Sequence, residues 1–153
     1  MSRKNCFVKI SGDMLNDRVL AWIKQLCEEY FVVICVGGGT QINEAFQKAG
    51  LPVREFGPLG RPTDTLEEKQ VARDVLEQNQ MSIQDRLADL RIHASVVIPT
   101  IDVGTVFCHV NGDQYTLAAY HGFDVLYVVT TTDRVQKKEE QFSPYAKIHV
   151  IGF

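Results

Sequence analysis

The sequence predicts an α/β fold: a three-layer αβα sandwich with a mainly parallel central sheet. Short apolar, β-branched segments alternate along the chain with helical segments whose apolar residues recur every three or four positions. Residues 31–36 are apolar throughout, which is typical of a parallel strand covered on both faces. The chain has 153 residues, and we expect one domain over residues 1–153.

The first half of the chain is predicted to alternate regularly. The elements are a strand over 7–12, a helix over 15–30, a strand over 31–36, a helix over 41–48 and a long loop over 51–64. Asp13 or Asn16 is predicted to cap the first helix and Thr40 the second, which Gly50 should end. The loop is rich in proline and glycine, and loops of this length are often functional.

The second half continues the alternation with a longer helical segment. The predicted elements are a helical segment over 66–90 with a break near 79–82, strands over 94–98, 105–110, 125–129 and 146–151, and a helix over 114–121. Thr63 or Asp64 is predicted to cap the helical segment, with Glu67 or Glu68 closing a capping box. The charge run Lys137-Lys138-Glu139-Glu140 nearly neutralises itself and is interpreted as a solvated loop.

Composition excludes several classes of function. The net charge of -3 argues against a nucleic-acid surface, which is normally basic. No segment reaches transmembrane length, and residues 1–5 lead into a strand with no apolar leader, so we expect a cytoplasmic protein without a membrane partner. The four cysteines are widely spaced and are interpreted as reduced thiols; with the histidine spacing, they predict no metal site.

Three consecutive glycines follow the apolar strand 31–36. Glycine lets backbone N–H groups approach a ligand, and a helix N-terminus after them favours an anion. A phosphate or carboxylate site is therefore predicted, with a tight strand-to-helix turn as the alternative. The residues are Gly37, Gly38 and Gly39.

Other polar loops should lie beside these glycines. In a parallel sheet, ligands bind beyond the carboxyl ends of the strands, where residues 11–13 and 131–133 also fall, and residues 111–113 could join them. A P-loop would need Gly-Lys-Ser/Thr, but Thr40 and Gln41 follow the glycines, and a dinucleotide fingerprint fits poorly. A strand-end lysine, glycine turns and a carboxylate are the parts for phosphoryl transfer without a P-loop.

The order of these motifs resembles the amino-acid kinase superfamily, nearest its acetylglutamate kinase branch. That family's Lys-x-Gly-Gly is similar to residues 9–12, and its Gly-Gly-Gly to residues 37–39. Its Leu-Pro-Val and Gly-x-Arg-x-Thr are similar to residues 51–53 and 60–64. Its Asn-Val-Asn-Ala-Asp-Gln is similar to residues 109–114, and the uridylate kinase branch's Thr-x-x-Asp-Gly-Val is similar in part to residues 130–135.

The resemblance implies a role for each matching residue. Lys9 would bridge the β- and γ-phosphates of ATP, and Asp113 would hold the catalytic lysine, which makes these two the catalytic candidates. Arg61 would grip the anionic group of the acceptor. The phosphate- or nucleotide-binding candidates are Ser11, Gly12, Gly37, Gly38, Gly39, Thr131 and Asp133, and the substrate-binding candidates are Arg61, Thr63, His109 and Asn111.

The chain also departs from the family pattern. Family members are longer, and their C-terminal part supplies most of the adenine pocket and a second catalytic lysine, whereas this chain ends at Phe153. His109 stands where the family has asparagine, and Arg134 where the nucleotide loop has glycine.

Three functions stay open at this point. The first is a kinase, minimal or completed by another chain, that uses ATP with Mg²⁺ to phosphorylate a carboxylate or phosphate acceptor. The second is a catalytically silent protein that binds a small-molecule anion or nucleotide, and the third is a structural subunit of an oligomer. In the last two cases no cofactor is expected.

Overall fold

The computed structural model describes residues 2–153, and it is an α/β fold built on a five-stranded parallel sheet in the order β3-β2-β1-β6-β7. The strands are β1 (Lys4–Ile10), β2 (Tyr30–Val36), β3 (Ala94–Val97), β4 (Thr100–Val103), β5 (Val106–His109), β6 (Val125–Thr130) and β7 (Ile148–Gly152). The helices are α1 (Asp17–Glu29), α2 (Gly39–Lys48), α3 (Leu66–Asp89), α4 (Gly112–Ala119) and α5 (Val135–Phe142). The predicted α/β class and mainly parallel sheet are confirmed.

Strand β1 is the centre of the sheet. Its last five residues, 6–10, are buried, because β2 and β6 flank it and helices cover both faces. Lys9 lies opposite Cys35 of β2 and Val128 of β6. Since all five strands run the same way, their carboxyl ends meet at one edge of the sheet, where the polar loops gather.

Two helical layers sandwich the sheet. On one face, Val19 and Ile23 of α1 and Leu87 of α3 pack with inward residues of β1 to β3. On the other face, Tyr115 of α4 and Phe142 of α5 pack with β6 and β7 residues. Helix α2 packs its Ile42 and Phe46 against Ala72 and Leu76 of α3.

A two-stranded antiparallel hairpin, β4–β5, lies apart from the main sheet. Gly104 occupies its tip with φ +60°, a left-handed conformation that favours glycine. The prediction of one strand over 105–110 missed β4, because residues 100–103 follow Pro99 in a short and largely exposed segment. The hairpin places His109 at its base, three residues before α4 begins.

The long helix α3 is continuous, so the predicted break near residues 79–82 is wrong. No glycine or proline interrupts residues 66–89, and Gln80 and Gln84 donate to the carbonyls of Val96 and Ala94 at 2.7 and 3.0 Å. Gln80, which lies within the predicted break, and Gln84 thus bond to the free edge of β3.

Two of the predicted helix caps are also wrong. Helix α2 begins at Gly39 with Gly38 as its N-cap, which places Thr40 inside the helix. Thr65, rather than Thr63 or Asp64, caps α3, and Glu68 completes a capping box with it as predicted. Asn16 caps α1, one of the two predicted alternatives.

The charge run at residues 137–140 is not a loop. It forms the middle of α5, where Lys138 is half-buried and hydrogen-bonded while Lys137 is exposed. The prediction of a solvated loop is therefore wrong for Lys138.

Among the described residues, no helix combines the length and apolar character needed to cross a membrane. All four cysteines are free, and Cys6 and Cys35 are buried. Burial raises the pKa of Cys35 to about 12. Burial and the nearby thiol of Cys27 raise the pKa of Cys6 to about 12 as well. Both side chains are therefore neutral thiols of the core.

Candidate functional site: a cationic cleft at the carboxyl edge of the sheet

A cleft of about 350 Å³ lies at the carboxyl ends of β1 and β2, between the loop before α3, the base of the hairpin and α5. The structure brings most of the predicted site residues together here. The predicted residues in its wall are Lys9, Ser11, Gly12, Gly37, Gly38, Gly39, Arg61, His109, Asn111 and Asp113. Arg134 and Lys138 join them.

Two glycine turns form the floor of the cleft and touch each other. A Cβ atom on Gly12 would lie 2.5 Å from the carbonyl oxygen of Gly37, which is closer than real Cβ contacts. Gly12 is therefore required by the close approach of the two turns. The N–H of Gly37 donates to the carbonyl of Ile10 at 3.1 Å, so that amide is already engaged.

The N-terminus of α2 adds unpaired amides to the floor. The first N–H groups of a helix have no partner within it, and α2 begins at Gly39. Gly38 lies against α3, since a Cβ there would be 3.0 Å from Leu76 Cδ2 and 3.3 Å from Asn79 Nδ2. Close helix packing thus holds this anion-favouring end of α2 in the cleft.

Two lysines converge on one buried carboxylate. Lys9 Nζ lies 3.4 Å from Asp113 Oδ1, and Lys138 Nζ donates to Asp113 Oδ2. Gln141 Nε2 also donates to Oδ2, at 3.2 Å. Asp113 Oδ1 has no hydrogen bond with good geometry, so its link to Lys9 is a charge contact.

Asp113 is ionised at neutral pH because of these neighbours. Burial alone would raise the pKa of Asp113. The charge of Lys9, the hydrogen bond and charge of Lys138 and the hydrogen bond from Gln141 outweigh burial and hold this pKa below its ordinary value. Asn111, the N-cap of α4, fixes the helix start by accepting from the Asp113 N–H at 2.8 Å. One carboxylate therefore orients two ammonium groups at the cleft wall.

Sequence reasoning missed Lys138. The detectable signal is its spacing: Lys138 is four residues before Phe142, so both fall on one face of α5, and Phe142 is buried. The balanced charges of residues 137–140 concealed this pattern.

Arg61 is a buried cation held without a carboxylate partner. It is 8% exposed, its Nη2 donates to the carbonyl of Gly39 at 3.0 Å, and its Nη1 has no partner among the described residues. The guanidinium carbon lies 4.8 Å from the centre of the Phe56 ring and 5.5 Å from that of Phe46. Burial lowers its pKa, but arginine remains charged at neutral pH.

The loop that carries Arg61 is anchored at both ends. Arg54 forms ion pairs with Asp64 at 3.1 Å and with the buried Glu68 at 3.0 Å. Gln114 of α4 donates to the carbonyl of Pro58 at 2.9 Å. These contacts hold Arg61 over the glycine turn at Gly39.

His109 lies beside Arg61 in the cleft wall. Its Nδ1 is buried and has no hydrogen-bond partner in the described part of the chain. Burial lowers the pKa of His109 and the charge of Arg61 lowers it further, so the imidazole is neutral at neutral pH.

Three predicted residues lie outside the wall of the cleft. Thr63 is half-buried two residues beyond Arg61, and Thr131 and Asp133 lie in the turn after β6, where Asp133 is exposed. Arg134, from the same turn, reaches the cleft instead.

The cleft is cationic although the protein is anionic. Its wall contains Lys9, Arg61, Arg134 and Lys138 against Asp13 and Asp113, whereas the whole chain has a net charge of -3. Within residues 2–153, no group of three His, Cys, Asp or Glu side chains is arranged to hold a metal ion. An anion is therefore the ligand that the cleft favours electrostatically.

Comparison of the sequence with protein-family models and with curated proteins gives no match. The resemblance described from the motifs thus depends on those motifs and on where their residues lie in the fold.

Proposed function

We propose that this cleft binds a phosphate-bearing small molecule and transfers a phosphoryl group from ATP to a carboxylate or phosphate acceptor, as in amino-acid kinases. The observation that carries the proposal is the pair of lysines on Asp113, beside two glycine turns and a helix N-terminus. Phosphoryl transfer needs positioning and charge compensation more than covalent chemistry by the protein. These parts can supply both.

In the proposed reaction an acceptor oxygen attacks the γ-phosphorus of ATP, the bond to the bridging oxygen breaks, and ADP leaves with that oxygen. Lys9 and Lys138 would neutralise the charge that shifts onto the bridging and terminal oxygens. Asp113 would act as a positioning residue, since it holds both ammonium groups.

The acceptor would bind at the other end of the cleft. Arg61, whose Nη1 has no partner among the described residues, lines the cleft together with His109 and Asn111. A guanidinium matches a carboxylate or a phosphate in charge and geometry. Both acceptor classes therefore fit the proposal.

With Lys138, this chain has two lysines on the carboxylate of Asp113. The resemblance implies a second catalytic lysine from a later part of the family's chain, and α5 supplies a lysine on the same carboxylate as Lys9. We therefore favour the reading in which the chain itself is catalytic.

Magnesium would enter with the nucleotide. Mg²⁺ is commonly held by substrate phosphates and water with one or two carboxylates. The two carboxylates in the cleft wall are Asp13, which is exposed, and Asp113, which is already paired with two lysines. The donor set thus suits a metal bound mainly to the nucleotide.

A catalytically silent protein that binds an anion is the second candidate. It is favoured by the position of Thr131 and Asp133, which the resemblance assigns to nucleotide but which lie outside the cleft wall. Such a protein would bind phosphate through the same lysines without turnover.

Calorimetry and a turnover assay test the proposal together. ATP with Mg²⁺, ADP and inorganic phosphate should each bind the wild type and should bind Lys9→Ala at least about tenfold more weakly, since a charged hydrogen bond is lost. ADP formation with a carboxylate or phosphate acceptor would support the kinase, and binding without ADP formation the silent protein. No binding of any of the three anions would refute both.

A further inference from the structure

We infer that Arg61 and His109 form one anion subsite and that His109 takes up a proton when an anion binds there. The inference rests on the proposed function, because the anion occupies the acceptor end of the same cleft. It adds a property that the family resemblance does not imply, since the resembled motif has asparagine at the position of His109.

The geometric basis is a pair of buried nitrogens that lack partners. Arg61 Nη1 and His109 Nδ1 are both closed to water, and neither has a hydrogen-bond partner among the described residues. Buried polar atoms in native proteins nearly always have partners, so each exception needs an explanation. An anion between the two side chains would satisfy both atoms at once.

The two side chains are held in place by different elements. Arg61 is fixed by its bond to Gly39 and by the rings of Phe46 and Phe56, whereas His109 ends β5 opposite Thr100 of β4. Both side chains are thus held in position before an anion binds.

Proton uptake follows from the charges around His109. Without a ligand, burial and the charge of Arg61 lower the pKa of the imidazole. An anion would compensate Arg61 and attract a proton to His109, which raises the pKa of the imidazole in the complex. The protonated ring donates from Nδ1, whereas the neutral ring presents a donor at only one nitrogen.

No other side chain that shares the cleft with His109 ordinarily titrates between pH 5 and 8. His109 is the histidine in the described wall of the cleft, and its strand neighbour Thr100 is uncharged. The charged groups that share the cleft are Lys9 from β1, Asp13 after β1, Arg61 from the loop, Asp113 from α4, Arg134 after β6 and Lys138 from α5.

Sulfate is the appropriate probe because it stays a dianion across this range, unlike phosphate. Affinity should increase as pH falls through the pKa of His109 in the complex and level off below its pKa in the free protein. We expect sulfate to bind the wild type at least about tenfold more tightly at pH 5.5 than at pH 8. Calorimetry in two buffers of different ionisation enthalpy at pH 7 should show protons taken up on binding.

His109→Asn is the matched variant, since asparagine keeps a hydrogen-bonding side chain that does not titrate. Its sulfate affinity should differ by less than about twofold between the two pH values. If the variant does not fold, the His109 imidazole in the wild type, followed by NMR, should show a pKa increase when sulfate is added.

Four results would contradict the inference, and the last of them would contradict the proposed function as well. Sulfate binding that is equal at both pH values with no proton uptake would overturn the inference and leave the proposed function standing. A pH dependence that persists unchanged in His109→Asn would also overturn it. An unchanged sulfate affinity in Arg61→Gln would exclude this subsite. No sulfate binding at either pH would contradict the anion site itself and the proposed function with it.

Discussion

Asp113 and Lys138 join two helices in the wall of the cleft: the carboxylate at the first turn of α4 accepts a hydrogen bond from the ammonium group on α5. The same carboxylate faces Lys9 at the end of β1. A single acidic side chain thus links the central strand and two helices of one layer. Its charge matters both for the stability of the fold and for the orientation of the lysines.

Asp113→Asn should therefore destabilise the protein in a pH-dependent way. Removing one partner of a buried ion pair typically lowers the free energy of unfolding by roughly 3–5 kcal/mol. We expect a loss at the lower end of this range, because Lys138 is only half-buried. Since the pKa of Asp113 is lower in the folded protein than in the unfolded chain, its stabilisation is present above pH 4 and is lost as pH falls below that value.

Thermal unfolding between pH 2 and pH 7 measures this effect. The difference in free energy of unfolding between wild type and Asp113→Asn should be constant from pH 5 to 7 and should shrink below pH 4. A difference that does not change with pH would show that the ionised carboxylate is not responsible.

The two glycine turns give a matched pair of variants. A methyl group on Gly12 would meet the backbone carbonyl of Gly37 at 2.5 Å, and that backbone has little freedom to move. On Gly37, the nearest atoms would be at 3.9 Å, which is ordinary contact. Gly12→Ala should thus lose about 1–3 kcal/mol in free energy of unfolding, while Gly37→Ala should stay close to wild type. Equal losses in urea unfolding of the two variants would contradict the close approach of the turns.

Gly112 should position Lys9. A Cβ on Gly112 would lie 2.9 Å from Lys9 Cε, so Gly112→Ala forces the flexible lysine side chain aside rather than the backbone. We expect phosphate affinity to fall about tenfold with no loss of thermal stability, because alanine is the better helix former.

Gly122→Ala is the control for this change, since its Cβ would have its nearest contact at 3.7 Å, with Ala119. Calorimetry should find its phosphate affinity equal to that of wild type. If both alanine variants bind phosphate as the wild type does, Gly112 has no positioning role.

Much of the fold was predictable because burial leaves a periodic pattern in the sequence. The strand β2 and the apolar face of α1 face the core, so their patterns are strong. The hairpin β4–β5 is mostly exposed and carries no such pattern. The false break in α3 was predicted at residues 79–82, where Gln80 instead bonds to the edge of β3, a contact between distant residues that local sequence does not encode.

The candidate site was predictable to the extent that its residues follow recognisable motifs. Gly12, Asp113 and Arg61 were identified in this way and lie together in the cleft. Lys138 belongs to no such motif, and its local charges favour a solvated segment. Only the packing of α5 beside α4 reveals its partner Asp113.

Replacing the two neighbouring lysines of α5 one at a time shows whether Lys138 belongs to the phosphate site. Lys137 is exposed and Lys138 is bonded to Asp113, so Lys137→Ala is a control of equal charge. Titration calorimetry with ATP and Mg²⁺ should give about tenfold or more weaker binding for Lys138→Ala and wild-type binding for Lys137→Ala. Equal ATP affinity of both variants and the wild type would contradict a phosphate site built on Lys9, Asp113 and Lys138.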